Sequence, residues 1–335
     1  MEKLKNRNGC LWVLVVLQSI AMVIVLVFIL AISLLSRSCQ SVHARKPIMG
    51  VDENPDLNEI WSYGNGKTKV VLIPLRGIIL FGEERFFGHE LGSAYHALMA
   101  IRRATHDPNV RAIIMDIDSP GGGITASDIL YKALINFKQS MNGRKVISLL
   151  GDVAASGGYY VAAASDHIIA HPTTITGSIG VLMQSLNVKE LGLKLGVKDV
   201  TIKSGNNKDI LNPFEDLSPE QYSILQNIVD EMHSHFVSIV ASGRNMSTEN
   251  VLSLADGQVY TSKKALSMGL IDQIGYWEDA AAKTAELLLV DDIQVFRYEN
   301  SFSLLALLRA YQPFRPSIRN VWEAAQTRIM YLWKP

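Results

Sequence analysis

Hydrophobic positions fall into three regimes along this chain. From Leu11 to Leu35 they run on without a single charged residue. From Lys69 to about residue 290, short continuous apolar runs alternate with stretches of helical spacing. Beyond residue 296 leucine, arginine and aromatic residues mix, and Pro313 and Pro316 break the pattern.

The middle regime predicts most of the elements. KVVLIPLRGIIL (69–80) reads as a buried strand, with Pro74 pointing to an edge position or a bulge. Residues 89–105 have helical spacing, with Leu91, Tyr95, Leu98, Met99 and Arg102 near one face. VRAIIMDID (110–118) is a second buried strand, ended by SPGGG, and ITASDILYKALINF then forms a helix. KVISLLG (145–151) is a third strand, running into GDVAASGGYY, where a helix begins. His167–Ala170 and VKDVTIK (197–203) are expected to be further strands. Ser218-Pro219-Glu220-Gln221 combines a capping serine, a proline in the first turn and a glutamine three residues on, so a helix opens there. Gly243 is expected to end it, and helices near 248–255, 262–268 and 277–289 follow. Strand, turn, helix and strand in this rhythm indicate α/β units around a mostly parallel sheet.

The outer regimes frame this domain. As a helix, Leu11–Leu35 would span about 37 Å at about 1.5 Å per residue, enough to cross an apolar core of about 30 Å. The run exceeds the 7–15 residues (roughly) of a signal-peptide core, so a transmembrane anchor is the expectation and a cleaved signal the alternative. Lys3, Lys5 and Arg7 precede it and Arg37, Arg45 and Lys46 follow, so charge barely sets its orientation. The expected organisation is a tail (1–10), the anchor (11–35), a polar linker (36–66), the α/β domain (67–295) and a C-terminal segment (296–335). That last segment reads as an amphipathic stretch on the membrane surface or, preferably, as a helix docked on the domain or a neighbouring subunit.

Composition narrows the function. Lys+Arg and Asp+Glu are both 32, a balance unlike that of a nucleic-acid-binding surface. The two cysteines, Cys10 and Cys39, flank the apolar run and are not expected to pair. No metal-ligand spacing is present, and neither metal nor cofactor is expected.

Three turns carry the candidate chemistry. In Ser119-Pro120-Gly121-Gly122-Gly123, backbone N–H groups at a strand-to-helix junction suit an anion or a developing oxyanion. In Ala154-Ala155-Ser156-Gly157-Gly158, a serine ends a strand and opens a helix, which should expose its hydroxyl as in a nucleophile elbow. Such a serine needs a base. His167 and His171 flank a strand, His233 and His235 lie in a helix, and His43, His89, His96 and His106 look superficial, so all eight histidines read as structural. The third turn, KSGNNKDI, offers lysines instead, because a lysine among apolar groups loses affinity for its proton and can serve a serine. Position alone leaves Lys203 and Lys208 equal.

SPGGG, ASGGYY, TGSIGV (176–181) and IKSGNNKDI, followed by DLSPEQ, GRNMS, ADGQVYT and ALSMGLIDQIG, together resemble the signal peptide peptidase A family of membrane-bound serine proteases. The likeness covers about residues 68–290, in the short, single-repeat form. It implies that Ser156 is the nucleophile, Lys208 the general base and Ser178 the residue that orients the lysine. It also implies an oxyanion hole from Gly122 and the N–H of Gly157. The implied fold is that of Clp proteases and crotonases, stacked β-β-α repeats that assemble into homo-oligomeric rings. The implied activity is endoproteolysis of remnant signal peptides and other extended apolar peptides through an acyl-enzyme, at the cell membrane, with the protease domain on the extracytoplasmic side. Tyr159 and Tyr160 read as packing residues. The alternatives are a crotonase-type acyl-CoA enzyme and a catalytically silent membrane scaffold.

Overall fold

Val70–Ile73, Ile113–Met115 and Val146–Ile147 are buried on both faces of their strands. This explains why those runs lack polar alternation, since a parallel sheet is covered by helices on both sides. The computed structural model describes residue 55 and residues 57–81, 85–86, 89–90, 93–300 and 329–333. The expected anchor (11–35) and both cysteines lie outside them. Among the described residues no helix is long and apolar enough to cross a membrane.

In chain order, β1 (Leu57–Tyr63) and β2 (Thr68–Arg76) precede a short antiparallel pair, β3 (Arg85–Phe86) and β4 (His89–Glu90). Then come α1 (Ser93–His106), β5 (Val110–Ser119), β6 (Gly121–Gly123), α2 (Ile124–Ser140), β7 (Lys145–Ala155) and α3 (Gly157–Ala162). Strands β8 (His167–Ala170), β9 (Ile175–Gly177) and β10 (Leu182–Met183) lead through α4 (Lys189–Lys194) to the long α5 (Pro219–Arg244). The rest comprises α6 (Thr248–Leu252), β11 (Val259–Thr261), α7 (Ser262–Ser267), β12 (Gln273–Ile274), α8 (Trp277–Leu288), β13 (Ile293–Asn300) and β14 (Ile329–Leu332).

The main sheet has nine strands, in the order β1-β13-β2-β5-β7-β8-β12, with β9 branching from β7 and β11 paired to β9. All its pairings are parallel except β1 with β13 and β9 with β11. One face packs on α8, where Val70, Leu72, Ile114, Ile147 and Val295 meet Ala280 and Ala281. Alternate residues such as Val71, Ile73, Ile113 and Met115 point to the opposite face. On that side α1, α2 and α3 lie against β2, β5 and β7. A separate sheet of three strands, β10-β14-β6, is antiparallel throughout.

Several expectations change. Residues 197–203 form no strand: Val200 is 84% and Ile202 98% exposed, and among the described residues no neighbouring strand offers its backbone a partner. Pro74 lies in a central strand rather than at an edge. The pairing of β13 reaches only Leu72, however, so on that side the missing N–H of Pro74 interrupts nothing. Gly243 does not end α5, which continues to Arg244 and stops at Asn245 in left-handed geometry (φ 52°). Its role is close approach, because a Cβ there would lie 2.1 Å from the Ala163 carbonyl oxygen. The capping box at Ser218 forms as expected, with Gln221 N–H donating to Ser218 Oγ at 3.2 Å and Ser218 N–H to Gln221 Oε1 at 3.1 Å. Within the polar stretch 36–66, β1 is a strand. The described parts of 296–335 include the end of β13, paired with β1 and β2, and β14, paired with β6 and β10.

Candidate active site

The site is built at the end of β7. The N–H of Ser156 donates to the Gly177 carbonyl at 2.8 Å, and Tyr160 N–H donates to the Ser156 carbonyl at 2.8 Å to open α3. Ser156 is thereby clamped between a strand and a helix at φ 53°, ψ −117°, a conformation costly for any residue with a Cβ. Its side chain must project sideways from the junction, as in a nucleophile elbow. Contrary to expectation, Ser156 is only 1% exposed. The strand β14 lies against α3, the helix that Ser156 opens.

The register of β7 on β9 brings Ser178 beside it. Ala155 faces Gly177, so the next residues on the two strands are Ser156 and Ser178. Ser178 has φ 50°, is 7% exposed, and donates its N–H to the Gln258 carbonyl at 2.7 Å. The Thr176 hydroxyl reinforces the register by donating to the Ala154 carbonyl at 2.6 Å.

The glycine turn meets the serine turn. A Cβ on Gly157 would lie 3.1 Å from the Gly122 nitrogen and 2.5 Å from Ser127 Oγ. Only glycine lets the two backbones come this close. Ile79 fixes the orientation of Gly122, because its N–H donates to the Gly121 carbonyl (2.9 Å) and its carbonyl accepts from Gly123 N–H (2.8 Å). Those groups point one way along β6, so the N–H and C=O of Gly122 point the other. Ile79 and Ser127 were invisible as site residues in the sequence, since nothing local marks a residue whose role is to hold another backbone.

Lys208 sits elsewhere on the chain, in an exposed turn where its N–H donates to the Gly205 carbonyl at 3.1 Å. No described hydrogen bond joins it to Ser156, and among the described residues its ammonium has no ion-pair partner. Lys203 differs: its Nζ is 2.8 and 2.9 Å from the two Asp209 carboxylate oxygens and 3.5 Å from Glu215. The hydrogen bond it donates to Asp209 raises the Lys203 ammonium above its ordinary range, and Asp209 is held correspondingly low. A lysine so engaged is a poor proton acceptor.

The remaining polar groups are committed. His233 Nε2 is 2.8 Å from the Ala255 carbonyl. The hydroxyls of the fully buried Tyr159 and Tyr160 donate to the Leu270 carbonyl (2.6 Å) and Asp128 (2.7 Å), in keeping with packing roles. A groove of about 410 Å³ beside the site is lined by Ser178, Leu182, Val229, His233, Leu332 and Trp333, among others. Among the described residues no group of three or more histidine, cysteine or acidic side chains could hold a metal.

A serine at a positive-φ strand-to-helix junction of a parallel α/β sheet, beside two close glycine backbones, is the construction of an α/β serine hydrolase. Comparison with known proteins sharpens the class. Residues 138–291 match the profile of Peptidase family S49. A protein named signal peptide peptidase SppA from Enterococcus faecium is 37% identical over 248 residues, which is 74% of this chain and 72% of that one. A protease from Synechocystis is 37% identical over 237 residues, 70% of this chain and 80% of that one. Protease 4 of Salmonella typhi is 31% identical over 239 residues, 71% of this chain but only 38% of the relative. The chain belongs to peptidase family S49 and is a serine peptidase.

Proposed function

We propose that this peptidase is a membrane-anchored endopeptidase that degrades remnant signal peptides, using Ser156 and Lys208 as a dyad. The observation that carries the reading is the convergence of Ser156 with Gly157 and Gly122 at one strand end, where two N–H groups can meet one oxyanion. In the first step Ser156 Oγ bonds to the scissile carbonyl carbon while its proton passes to Lys208 Nζ. The carbonyl oxygen becomes an oxyanion held by the N–H groups of Gly122 and Gly157, a contribution of about 3 kcal/mol per donor in comparable sites. The C–N bond then breaks, and the Lys208 ammonium returns the proton to the leaving amine. Water, deprotonated by the same lysine, hydrolyses the acyl-enzyme. Ser178, adjacent to Ser156 in register, would orient the lysine through its hydroxyl.

This scheme needs Lys208 beneath an apolar cover, and the chain's own fold leaves it exposed. The arm that carries it also exposes Leu186, Leu193, Leu195, Val197, Val200 and Ile202. So much apolar surface on one arm supports a homo-oligomeric assembly in which a second copy packs there. A Clp/crotonase type of fold, which assembles in this way, agrees with the parallel sheet. Anchoring rests on the uncharged run Leu11–Leu35, and the extracytoplasmic placement rests on the family likeness.

The test uses the full chain in detergent. A fluorophosphonate probe should label wild type, and an apolar peptide should be hydrolysed. Ser156→Ala should abolish labelling, and both Ser156→Ala and Lys208→Ala should lower hydrolysis about a thousandfold or more. Unchanged hydrolysis in either variant would sink the dyad.

A further inference from the structure

Helix α3, which Ser156 opens, has only six residues. A helix that short has no stability of its own, so its direction is set by what holds it from outside. Part of the hold is steric: Gly158 presses on the end of β5, where a Cβ would lie 2.8 Å from the Ser119 carbonyl oxygen. Another part is Tyr160, which is fully buried. Its amide closes the first turn of α3 on the Ser156 carbonyl at 2.8 Å. Its ring packs on Tyr131 of α2 and Phe236 of α5, at centroid distances of 5.5 and 5.0 Å.

Packed rings can slide, whereas a hydrogen bond also fixes direction. The Tyr160 hydroxyl donates to Asp128 Oδ1 at 2.7 Å. Asp128 stands early in α2, next to Ser127. Ser127 Oγ donates to the Gly123 carbonyl at 3.1 Å and lies 2.5 Å from where a Cβ on Gly157 would be. Adjacent residues of α2 therefore hold both halves of the site, Ser127 the end of the glycine strand and Asp128 the helix of the nucleophile. His235 of α5 also reaches Asp128, with Nε2 3.5 Å from the same oxygen. Those two side chains are 51% and 46% exposed, and ion pairs so placed contribute little. A hydrogen bond from a buried hydroxyl to a carboxylate is the stronger constraint. The neighbouring Tyr159 hydroxyl goes instead to the Leu270 carbonyl, so the two tyrosines anchor α3 to different parts of the fold.

We infer that Asp128 is a positioning residue for the peptidase reaction: by accepting the Tyr160 hydroxyl it locks α3 to α2 and fixes where the Ser156 hydroxyl stands relative to the Gly122 and Gly157 amides. The inference rests on the reading of Ser156 as the nucleophile and of those amides as the oxyanion hole. Among the described residues Asp128 is not part of the groove beside Ser178, so its loss acts on the chemical step rather than on binding. Misplacing a reacting group by about 1 Å can cost on the order of a hundredfold in rate.

The test compares the full chain in detergent with Tyr160→Phe, Asp128→Ala, their double variant and Asp128→Asn, which keeps an acceptor oxygen. In Tyr160→Phe and Asp128→Ala, kcat on an apolar peptide should fall at least about tenfold, with KM within about twofold. The double variant should be no worse than the worse single one, because both remove the same bond. Asp128→Asn should keep kcat within about threefold of wild type, a rescue that a role for the charge alone would not give. Hydrogen exchange of the Tyr160 amide should be at least about tenfold faster in the first two variants and unchanged in Asp128→Asn. Wild-type kcat and exchange in Tyr160→Phe, or losses that multiply in the double variant, would overturn the inference. If wild type itself hydrolyses no peptide, the reading of Ser156 fails separately. Exchange of the Tyr160 amide would still decide the lock, faster exchange in Tyr160→Phe supporting it and equal exchange refuting it.

Discussion

Ser156 and Gly177 are joined by a 2.8 Å hydrogen bond from the amide of the first to the carbonyl of the second. The bond ties the end of β7 to β9, and with α3 beginning one residue later it leaves Ser156 no relaxed backbone conformation. The strain is a consequence of where the hydroxyl must point.

That strain can be measured. Ser156→Ala keeps the Cβ and its clash at φ 53°, whereas Ser156→Gly removes it. Both variants should be inactive, with the glycine form more stable than the alanine form by about 1–2 kcal/mol. Urea unfolding of the two gives the difference directly. Equal midpoints would mean that the junction is unstrained.

Gly243 sets helix propensity against packing. In an exposed helix Gly→Ala gains about 1 kcal/mol. Here the new Cβ would sit 2.1 Å from the Ala163 carbonyl oxygen, which is backbone and cannot swing aside. Gly243→Ala should therefore destabilise by about 2 kcal/mol or more, since forcing atoms into a packed interior typically costs about 1–3 kcal/mol. A stabilised variant would show that α5 does not press on the end of α3 in this way.

The Arg244–Asp272 pair predicts an acid limit. Arg244, its side chain 7% exposed, donates to the two Asp272 carboxylate oxygens at 2.9 and 2.6 Å, and Ile168 N–H donates to Asp272 at 2.7 Å. Burial alone would raise the carboxyl, but Arg244 and the Ile168 amide outweigh it and hold Asp272 below the usual carboxylate range. A depressed group contributes stability at pH above its unfolded value, about 4. That contribution is lost as the pH falls through the lowered folded value. Asp272→Asn should cost about 3 kcal/mol at pH 7, because it strands a buried guanidinium. The variant should also flatten the loss of stability between about pH 5 and 2. Parallel pH profiles for the two proteins would refute this.

The exposed arm predicts assembly. Val200→Asp and Ile202→Asp touch nothing within the chain's core, so each should leave the thermal midpoint of the isolated chain nearly unchanged. Both should lower the oligomer mass seen by sedimentation in detergent, and hydrolysis should fall in parallel. A monomeric wild type with full activity would remove the need for a partner.

The sequence was most legible where structure is local. Apolar runs located β2, β5, β7 and β8, and the Ser218–Gln221 box marked the start of α5. It was least legible where a strand depends on a distant partner. VKDVTIK has strand composition but no edge to join among the described residues, while Leu57–Tyr63 and Ile293–Asn300 become strands only because they find each other and β2. GGG looked like a plain turn because nothing nearby reveals that residues 329–332 pair with it. Ser156, Gly122 and Gly157 were nameable from motif order. Their meeting point depends on Ile79 and Ser127, which carry no local mark.

The glycines around Ser156 also bear on how this peptidase can change over time. Gly122, Gly157, Gly158 and Gly243 each lack room for one more carbon atom, with a backbone or hydroxyl oxygen within 2.8 Å of where it would go. The smallest mutational step at any of them moves a neighbouring backbone or hydroxyl, so the floor of the site has almost no neutral variants to drift through. The arm from Leu186 to Leu217 is largely exposed, and no glycine in it has an oxygen within 2.8 Å of where a Cβ would go. New preferences for peptides or partners would therefore accumulate in the arm, with the floor inherited unaltered.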